Sequence, residues 1–548
     1  VSLLLLANGL CLLVLWRAFR PLFREEQVPG FATPVWAADP PAADPLDGPE
    51  DGARDERPLR RLSPPASLSI LLASEPARRT RDHALEQRVR DAVAEALEQA
   101  RERSKNKVSA ANVRVAVHVR EAGRGGELVA LEAQRAMRPA SNEKLFTTAA
   151  ALCSLGPDWS FVTRFDSTAP IEGGVLQGDL VVRAGGDPLF DPQAHGKIDA
   201  FFAGVARQLK AAGIQSVSGA LLLDEGDFLE PGPGPAWPPS NQHWAEFCAL
   251  SGGLNANAGC LTALVRPDKG LEQAEVAVEP RWHGLKPRIS VETIARGKLD
   301  LRVQARAGEL SVQGSIPRSV SEYELRFAAP DPVLLFGHAA LGALHAQGVR
   351  IDGGLQRQRA APAGRELARL STPLVELLEP INTDSNNVCA DQVFLALGHA
   401  RGGAGTREGG ARAIREFLQH LSIPADEYAQ VDGSGLSRDD RVSAQMITAL
   451  VDAVLRLDPK VAHAYAASLA VGGETGTLEK RGLDERVRAK TGFIAGTSAL
   501  SGLVETKAGR TLIFSILVDY PKCDGLNTSC WKPMQDSVCK LLAGWDAD

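Results

Sequence analysis

Apolar residues recur every three or four positions between Asp82 and about Ser104, at Leu85, Val89, Val93, Ala96 and Ala100. That period lays one apolar stripe along a helix. Val113, Val115, Val117 and Val119 then alternate with polar or small residues, which is the period of a strand, and the glycine-rich stretch 123–126 turns the chain into a second strand over 127–132. Residues 142–155 read as another helix. Its Leu145, Phe146, Ala149, Ala150 and Leu152 leave almost no polar side, so full burial is expected. From about 161 to 358 short strands and turns dominate, with amphipathic helices near 198–212 and 333–347. Helical periodicity returns after Leu370. Near the C-terminus Leu512, Phe514, Ile516 and Val518 alternate through 511–519, and 498–504 supplies a neighbouring strand. The first and last parts of the chain are therefore expected to share one sheet.

The ordered body thus divides into 82–160 together with 359–548, interrupted by a β-rich insertion over 161–358 that is expected to form two subdomains. Residues 1–16 form an uncharged, Leu-rich run followed by Arg17, Arg20 and Arg24, so 1–22 read as an export signal or membrane anchor. Residues 23–81, interrupted by Pro40, Pro41, Pro45, Pro49, Pro58, Pro64 and Pro65, read as a disordered linker rich in Pro and Ala. This arrangement points to an exported, periplasmic or cell-envelope protein whose first segment suits a membrane. The 548 residues are 44% hydrophobic, enough for a large core shared among several structural units. A net charge of -6 supplies no broad basic field, which argues against nucleic acid as a partner. The eight cysteines lack the paired spacing of a zinc or redox site, so no metal or cofactor is expected. Two short loops, Cys248 to Cys260 and Cys523 to Cys530, read either as disulfides or as buried thiols.

Three short motifs carry the chemistry. They occur in the order Ser141-Asn142-Glu143-Lys144, Ser385-Asn386-Asn387 and Lys490-Thr491-Gly492. Each alone is weak, as Ser104-Lys105-Asn106-Lys107 illustrates by fitting the first pattern at a polar helix end. Ser141 instead opens the helix expected to be buried. A serine hydroxyl needs a base within hydrogen-bond reach to act as a nucleophile at neutral pH. Residues three apart on a helix face the same way, about 5 to 6 Å apart at Cβ, a gap that a lysine side chain closes. Lysine accepts a proton only when its ammonium is disfavoured, and both the apolar helix and Lys490 work in that direction. Lys490-Thr491-Gly492 reads as an edge strand along which a peptide can lie, with Thr491 and Lys490 meeting a carboxylate and Gly492 leaving room for close approach. Ser385 and Asn387 then offer a hydroxyl for proton relay and an amide for the substrate backbone.

With these motifs in place the chain resembles the D-alanyl-D-alanine carboxypeptidase/endopeptidase family of low-molecular-mass, class C penicillin-binding proteins, the type with a large insertion between its first two motifs. The similarity runs from about Val113 to Leu542. It includes Pro139-Ala140-Ser141, Leu145-Phe146-Thr147-Thr148-Ala149-Ala150, Gly185-Gly186-Asp187-Pro188, Asp432-Gly433-Ser434-Gly435-Leu436-Ser437 and Gly476-Thr477-Leu478, the last three read as framework turns. The resemblance implies an α/β (α+β) fold of the serine β-lactamase/transpeptidase type, its antiparallel sheet flanked by helices, with the insertion in its midst. It also implies a penicillin-sensitive serine carboxypeptidase acting on peptidoglycan stem peptides, with β-lactams as inhibitors. Ser141 would be acylated, Lys144 the general base, Ser385 the proton relay, Asn387 a substrate amide contact, and Lys490 with Thr491 the carboxylate contacts. The backbone N–H groups of Ser141 and Phe493 would hold the oxyanion. Two departures stand out: Phe493 occupies the place where Thr or Ser often follows Lys-Thr-Gly, and Asn386 replaces the usual Asp of the middle motif. Cleavage of D-alanyl cross-links by the same residues, or a membrane-tethered wall-binding protein without catalysis, are the alternative readings. A compact β-lactamase lacks room for the insertion, and neither a Gly-x-Ser-x-Gly elbow nor a His-Glu-x-x-His helix is present.

Overall fold

The computed structural model describes residues 81–546 except 110, 124–125, 230, 271 and 427; the expected signal or anchor, and all of the expected linker but Arg81, lie outside the described residues. The stripe of Leu85, Val89, Ala96 and Ala100 becomes the buried side of the helix His83–Arg103. Asp82 caps that helix by accepting from the Leu85 N–H at 2.9 Å, and its other oxygen accepts from Trp545 Nε1 at 2.7 Å. One side chain therefore ties the start of the body to its end.

Alternation of apolar residues builds a six-stranded antiparallel sheet. Its order is Ala470–Val471, Val487–Ile494, Thr497–Glu505, Thr511–Asp519, Arg114–Glu121 and Glu127–Leu131, so the first and last parts of the chain do share it. The strand Thr511–Asp519 is more than half-covered. Leu512, Phe514, Ile516 and Val518 face the two terminal helices, His83–Arg103 and Lys532–Ala543, while Ile513 and Leu517 face a second helical layer. Its alternation is thus that of a strand buried on both faces.

The second layer surrounds the helix Lys144–Ser154, in which Leu145 through Leu152 are all buried. The helices Leu374–Asn382, Asn387–Ala400, Arg407–His420 and Ala444–Leu455 pack around it. The expected helix at 142–155 differs at its start: Ala140–Glu143 form a 3-10 turn, and the α-helix begins only at Lys144. The reason is local, because Ala140 sits at a left-handed φ of 47° that no α-helix admits.

Between this helix and Leu374 the chain folds around its own core. A five-stranded sheet, ordered Leu355–Arg357, Leu221–Asp224, Leu180–Arg183, Ser160–Ser167 and Arg365–Pro373, packs with the helices Asp199–Ala211 and Pro332–Ala346. Two three-stranded sheets, one centred on Cys260–Arg266 and the other on Glu309–Pro317, complete the region together with a small four-stranded sheet. The closing strand Arg365–Pro373 pairs with Ser160–Ser167, which carries the sheet beyond the border at residue 358 read from the sequence. Cys248, Cys260, Cys523 and Cys530 stand as free thiols.

Truncating Phe514, fully buried between the sheet and the terminal helices, removes a large apolar side chain that its neighbours cannot replace. Phe514→Ala is expected to lower the unfolding free energy by about 3–5 kcal/mol, measured by urea denaturation. A loss below about 1 kcal/mol would show that this interface does not hold the body together.

Candidate active site

The turn before the nucleophile helix has little room. A Cβ on Gly435 would lie 1.9 Å from the Ala140 carbonyl oxygen, and one on Gly492 would lie 2.8 Å from the Pro139 carbonyl oxygen. These two glycines let the loop 432–437 and the strand Val487–Ile494 close on the turn from opposite sides. Asn142 fastens it further: its Nδ2 donates to the Lys490 carbonyl at 2.9 Å, and its Oδ1 accepts from Ser501 Oγ at 2.6 Å. Ser141 is left half-buried at the start of the helix, with Lys144 one turn on and wholly buried.

Lys144 Nζ has three oxygen neighbours: Asn387 Oδ1 at 2.7 Å, the Ser434 carbonyl at 2.7 Å and Ser141 Oγ at 3.1 Å. The first two can only accept. A neutral amine has two hydrogens for them and one lone pair left, which faces the serine hydroxyl. Burial pushes the Lys144 ammonium down to about 8, against the opposing pull of Asp391 and Asp432. The three oxygens can be met by the three N–H groups of the ammonium, or by two N–H groups and the lone pair of the amine, and burial eases the passage from the first form to the second.

The middle motif is positioned by a helix cap. Asn386 caps Asn387–Ala400 by accepting from the Cys389 N–H at 3.0 Å, and Ser385 just before it takes a φ of 68°. Asn and Asp cap helices about equally well, which accounts physically for the tolerated replacement at this position. Ser385 Oγ accepts from Lys490 Nζ at 2.8 Å, and the same ammonium donates to the Thr491 carbonyl at 3.0 Å. Burial and then Lys144 hold the Lys490 ammonium well below the ordinary lysine range, opposed by Asp384. Asn387, expected to face substrate, has already engaged both ends of its amide, since Nδ2 also donates to the Phe247 carbonyl at 2.8 Å. One N–H and one lone pair remain free in principle for a ligand.

Thr491 is half-buried and Phe493, two residues along the same strand face, is 54% exposed. The two-residue strand Ala470–Val471 pairs only with Arg488 and Ala489, so among the described residues Lys490–Ile494, which includes the expected edge at Lys490-Thr491-Gly492, is open on that side. The structure thus hydrogen-bonds Ser141 and Asn387 to Lys144, and separately Ser385 to Lys490, with the two lysines close enough to disfavour each other's charge and with Thr491, Gly492 and Phe493 following Lys490 along its strand. Sequence reasoning did not single out the main-chain carbonyls of Ser434 and Phe247, or Asn142. The segment containing Ser434 was legible only as a turn.

Under this cluster lies a buried acid. Tyr428 Oη is 2.6 Å from Glu143 Oε1 and 2.8 Å from Gln430 Oε1. A single phenolic hydrogen serves one acceptor. A protonated Glu143 donating to the phenol, which in turn donates to Gln430, satisfies both, and burial pushes the Glu143 carboxyl up to about 8.

A serine and a buried lysine one turn apart, beside an antiparallel sheet covered by helices on both faces, define a serine hydrolase of the β-lactamase and penicillin-binding class. Comparison with known proteins narrows it. Residues 94–535 match the model of the D-Ala-D-Ala carboxypeptidase 3 (S13) family, and the chain belongs to that family. It is 31% identical over 416 residues to a D-alanyl-D-alanine carboxypeptidase of an Actinomadura species, covering 72% of this chain and 75% of that one. It is 26% identical over 404 residues to the carboxypeptidase DacB of Haemophilus influenzae, covering 69% and 79% of the two chains. The crystal structure of penicillin binding protein 4 (dacB) from Haemophilus influenzae shares the fold, with a TM-score of 0.67 at 21% identity over 82% of this chain and 99% of that one.

The Glu143 carboxyl gives a stability signature. The unfolded chain releases this proton near the ordinary value of 4.5, while the folded chain keeps it to about 8. Glu143 therefore costs nothing below about pH 4.5 and destabilises increasingly as pH rises towards 8. Glu143→Gln, whose amide still donates to Tyr428, is expected to shrink the loss of stability between pH 5 and pH 8, read from urea midpoints. An unchanged difference between the two pH values would mean that Glu143 is ionised in the fold.

Proposed function

We propose that the protein removes the terminal D-alanine from peptidoglycan stem peptides through an acyl-enzyme on Ser141. The observation that carries this reading is the placement of Lys144 Nζ, with two obligate acceptors and the Ser141 hydroxyl around it. Ser141 Oγ attacks the carbonyl carbon between the two D-alanines as its proton passes to Lys144 Nζ. The backbone N–H groups of Ser141 and Phe493 hold the oxyanion, favoured at Ser141 by the start of the helix. The C–N bond then breaks, and the proton travels from Lys144 through Ser385 to the departing amine. Water completes the cycle by attacking the ester carbonyl as Lys144 takes a proton from it, and Lys144 returns that proton to Ser141 Oγ when the acyl C–O bond breaks.

Asn387 grips the substrate amide with its remaining donor, and Lys490 with Thr491 meets the terminal carboxylate, while Gly492 lets the peptide approach the strand. β-Lactams acylate the same serine in this reading. Membership of a carboxypeptidase family counts against the non-catalytic wall-binding alternative. The enzyme works in the cell envelope, where stem peptides occur, and the Leu-rich run at 1–16 exports or tethers it. Among the described residues no helix is long and apolar enough to cross a membrane.

Mass spectrometry after benzylpenicillin treatment tests the assignment. The adduct is expected on the peptide containing Ser141, and Ser141→Ala should take up none; an adduct elsewhere would refute it. Lys144→Arg should slow acylation by about 10²–10⁴-fold. In the parent, acylation should rise with pH through about 8 as Lys144 loses its proton; a rate flat from pH 6 to pH 9 would exclude Lys144 as the base. Phe493 leaves a gap in carboxylate recognition that a hydroxyl would fill. Phe493→Thr is expected to lower KM for peptides with a free C-terminal carboxylate by roughly tenfold, and an unchanged KM would show that this position does not touch the carboxylate.

A further inference from the structure

Two of the three atoms around Lys144 Nζ are held from outside the helix that carries it. The Ser434 carbonyl belongs to the loop 432–437, which two buried carboxylates shape: Asp391 Oδ1 accepts from the Gly433 N–H at 2.9 Å, and Asp432 makes several further bonds. Asp432 Oδ1 accepts from the Gly435 N–H at 2.7 Å, the Ser434 N–H at 3.2 Å and Ser434 Oγ at 3.3 Å. Its Oδ2 accepts from the Ser437 N–H at 2.8 Å and from Trp237 Nε1 at 3.2 Å. Trp237 lies in the insertion, far along the chain from the loop. The same stretch makes two more bonds to it: Ser437 Oγ donates to the Pro235 carbonyl at 2.8 Å, and the Arg438 N–H donates to the Ala236 carbonyl at 3.2 Å. Asn387, which holds the second acceptor, is anchored in turn by the Phe247 carbonyl, again from the insertion.

We propose that Asp432 is a positioning residue for Lys144, and that the insertion, through Trp237, takes part in placing the general base. The inference rests on the assignment of Ser141 and Lys144 above and adds to it a role for residues that touch neither substrate nor the reacting atoms. An aspartate is required at this position because both of its oxygens face donors. An asparagine would turn an NH2 group towards N–H donors on one side and force the loop, with its Ser434 carbonyl, away from Lys144. The charged and titratable groups facing Lys144 are Asp391 and Cys389 on the helix Asn387–Ala400, Asp432 on the loop, Glu143 on its own turn and Lys490 on the neighbouring strand. Asp432→Asn removes a negative charge and displaces a carbonyl, and both changes make the Lys144 ammonium less stable.

The test is the rate of acylation by benzylpenicillin from pH 5 to pH 10 in the full chain, for Asp432→Asn and Trp237→Phe, with melting temperatures measured alongside. Asp432→Asn is expected to lower the high-pH plateau by about 10²-fold and to move the acid limb to lower pH, with KM for a peptide substrate unchanged. Trp237→Phe, which loses only the N–H donor, should lower the plateau roughly three- to tenfold and move the limb in the same direction. A merely structural role would lower the melting temperature without moving the limb. Parental plateau and limb in both folded variants would overturn the proposal; should Asp432→Asn fail to fold, a parental profile in Trp237→Phe overturns it alone. Ser141→Ala, assayed in parallel, separates the two levels: acylation of that variant would refute the nucleophile and this inference with it, whereas its loss together with parental profiles in the other two would refute only the role of Asp432 and Trp237.

Discussion

The site depends on keeping one amine dry. Lys144 is wholly buried, and the two carbonyl oxygens beside it can be satisfied in either protonation state, so burial is what weakens the ammonium. A charged lysine buried without a full counter-charge is costly. Asp391 and Asp432 offset part of that cost, which leaves the amine poised near neutrality rather than stripped of basicity. The acids in turn are affected by crowding. Asp391 is pushed up to about 7, chiefly by burial and then by Asp432, and Asp440 is driven well above the carboxylate range for the same reasons.

Holding that amine in place requires a backbone that few sequences allow. Ala140 and Ser385 both adopt left-handed φ angles, one just before the nucleophile and one at the start of the middle motif. Such residues cost of order 1–3 kcal/mol each and persist only where the surroundings fix them. Here the surroundings are specific: Gly435 and Gly492 permit contact with the first, and the Asn386 cap follows the second. The burial of the helix Lys144–Ser154 among its neighbours provides the rigid base on which both are set.

Much of this was legible from residue order alone. The helix His83–Arg103 and the strands Arg114–Glu121 and Thr511–Asp519 follow from simple periodicity because each has at least one continuous apolar face. The three motifs could be read because the chemistry of a serine nucleophile demands particular side chains at particular spacings. Main-chain contributions were not readable in the same way. Any residue has a carbonyl, so nothing in Ser434 or Phe247 announces that its oxygen faces Lys144 or Asn387. The 3-10 turn at Ala140–Glu143 escaped for a related reason, since alanine carries no signal for positive φ and its conformation is imposed by glycines that lie hundreds of positions away. The role of Trp237 was hidden because its partner, Asp432, lies on the far side of the insertion in sequence.

NMR of the lysine Nζ groups in isotopically labelled protein reads the protonation of Lys144 directly, with its signal assigned by its loss in Lys144→Arg. Burial of Lys144 is expected to set its titration midpoint at about 8. A midpoint at the ordinary lysine value of 10.5 would contradict it.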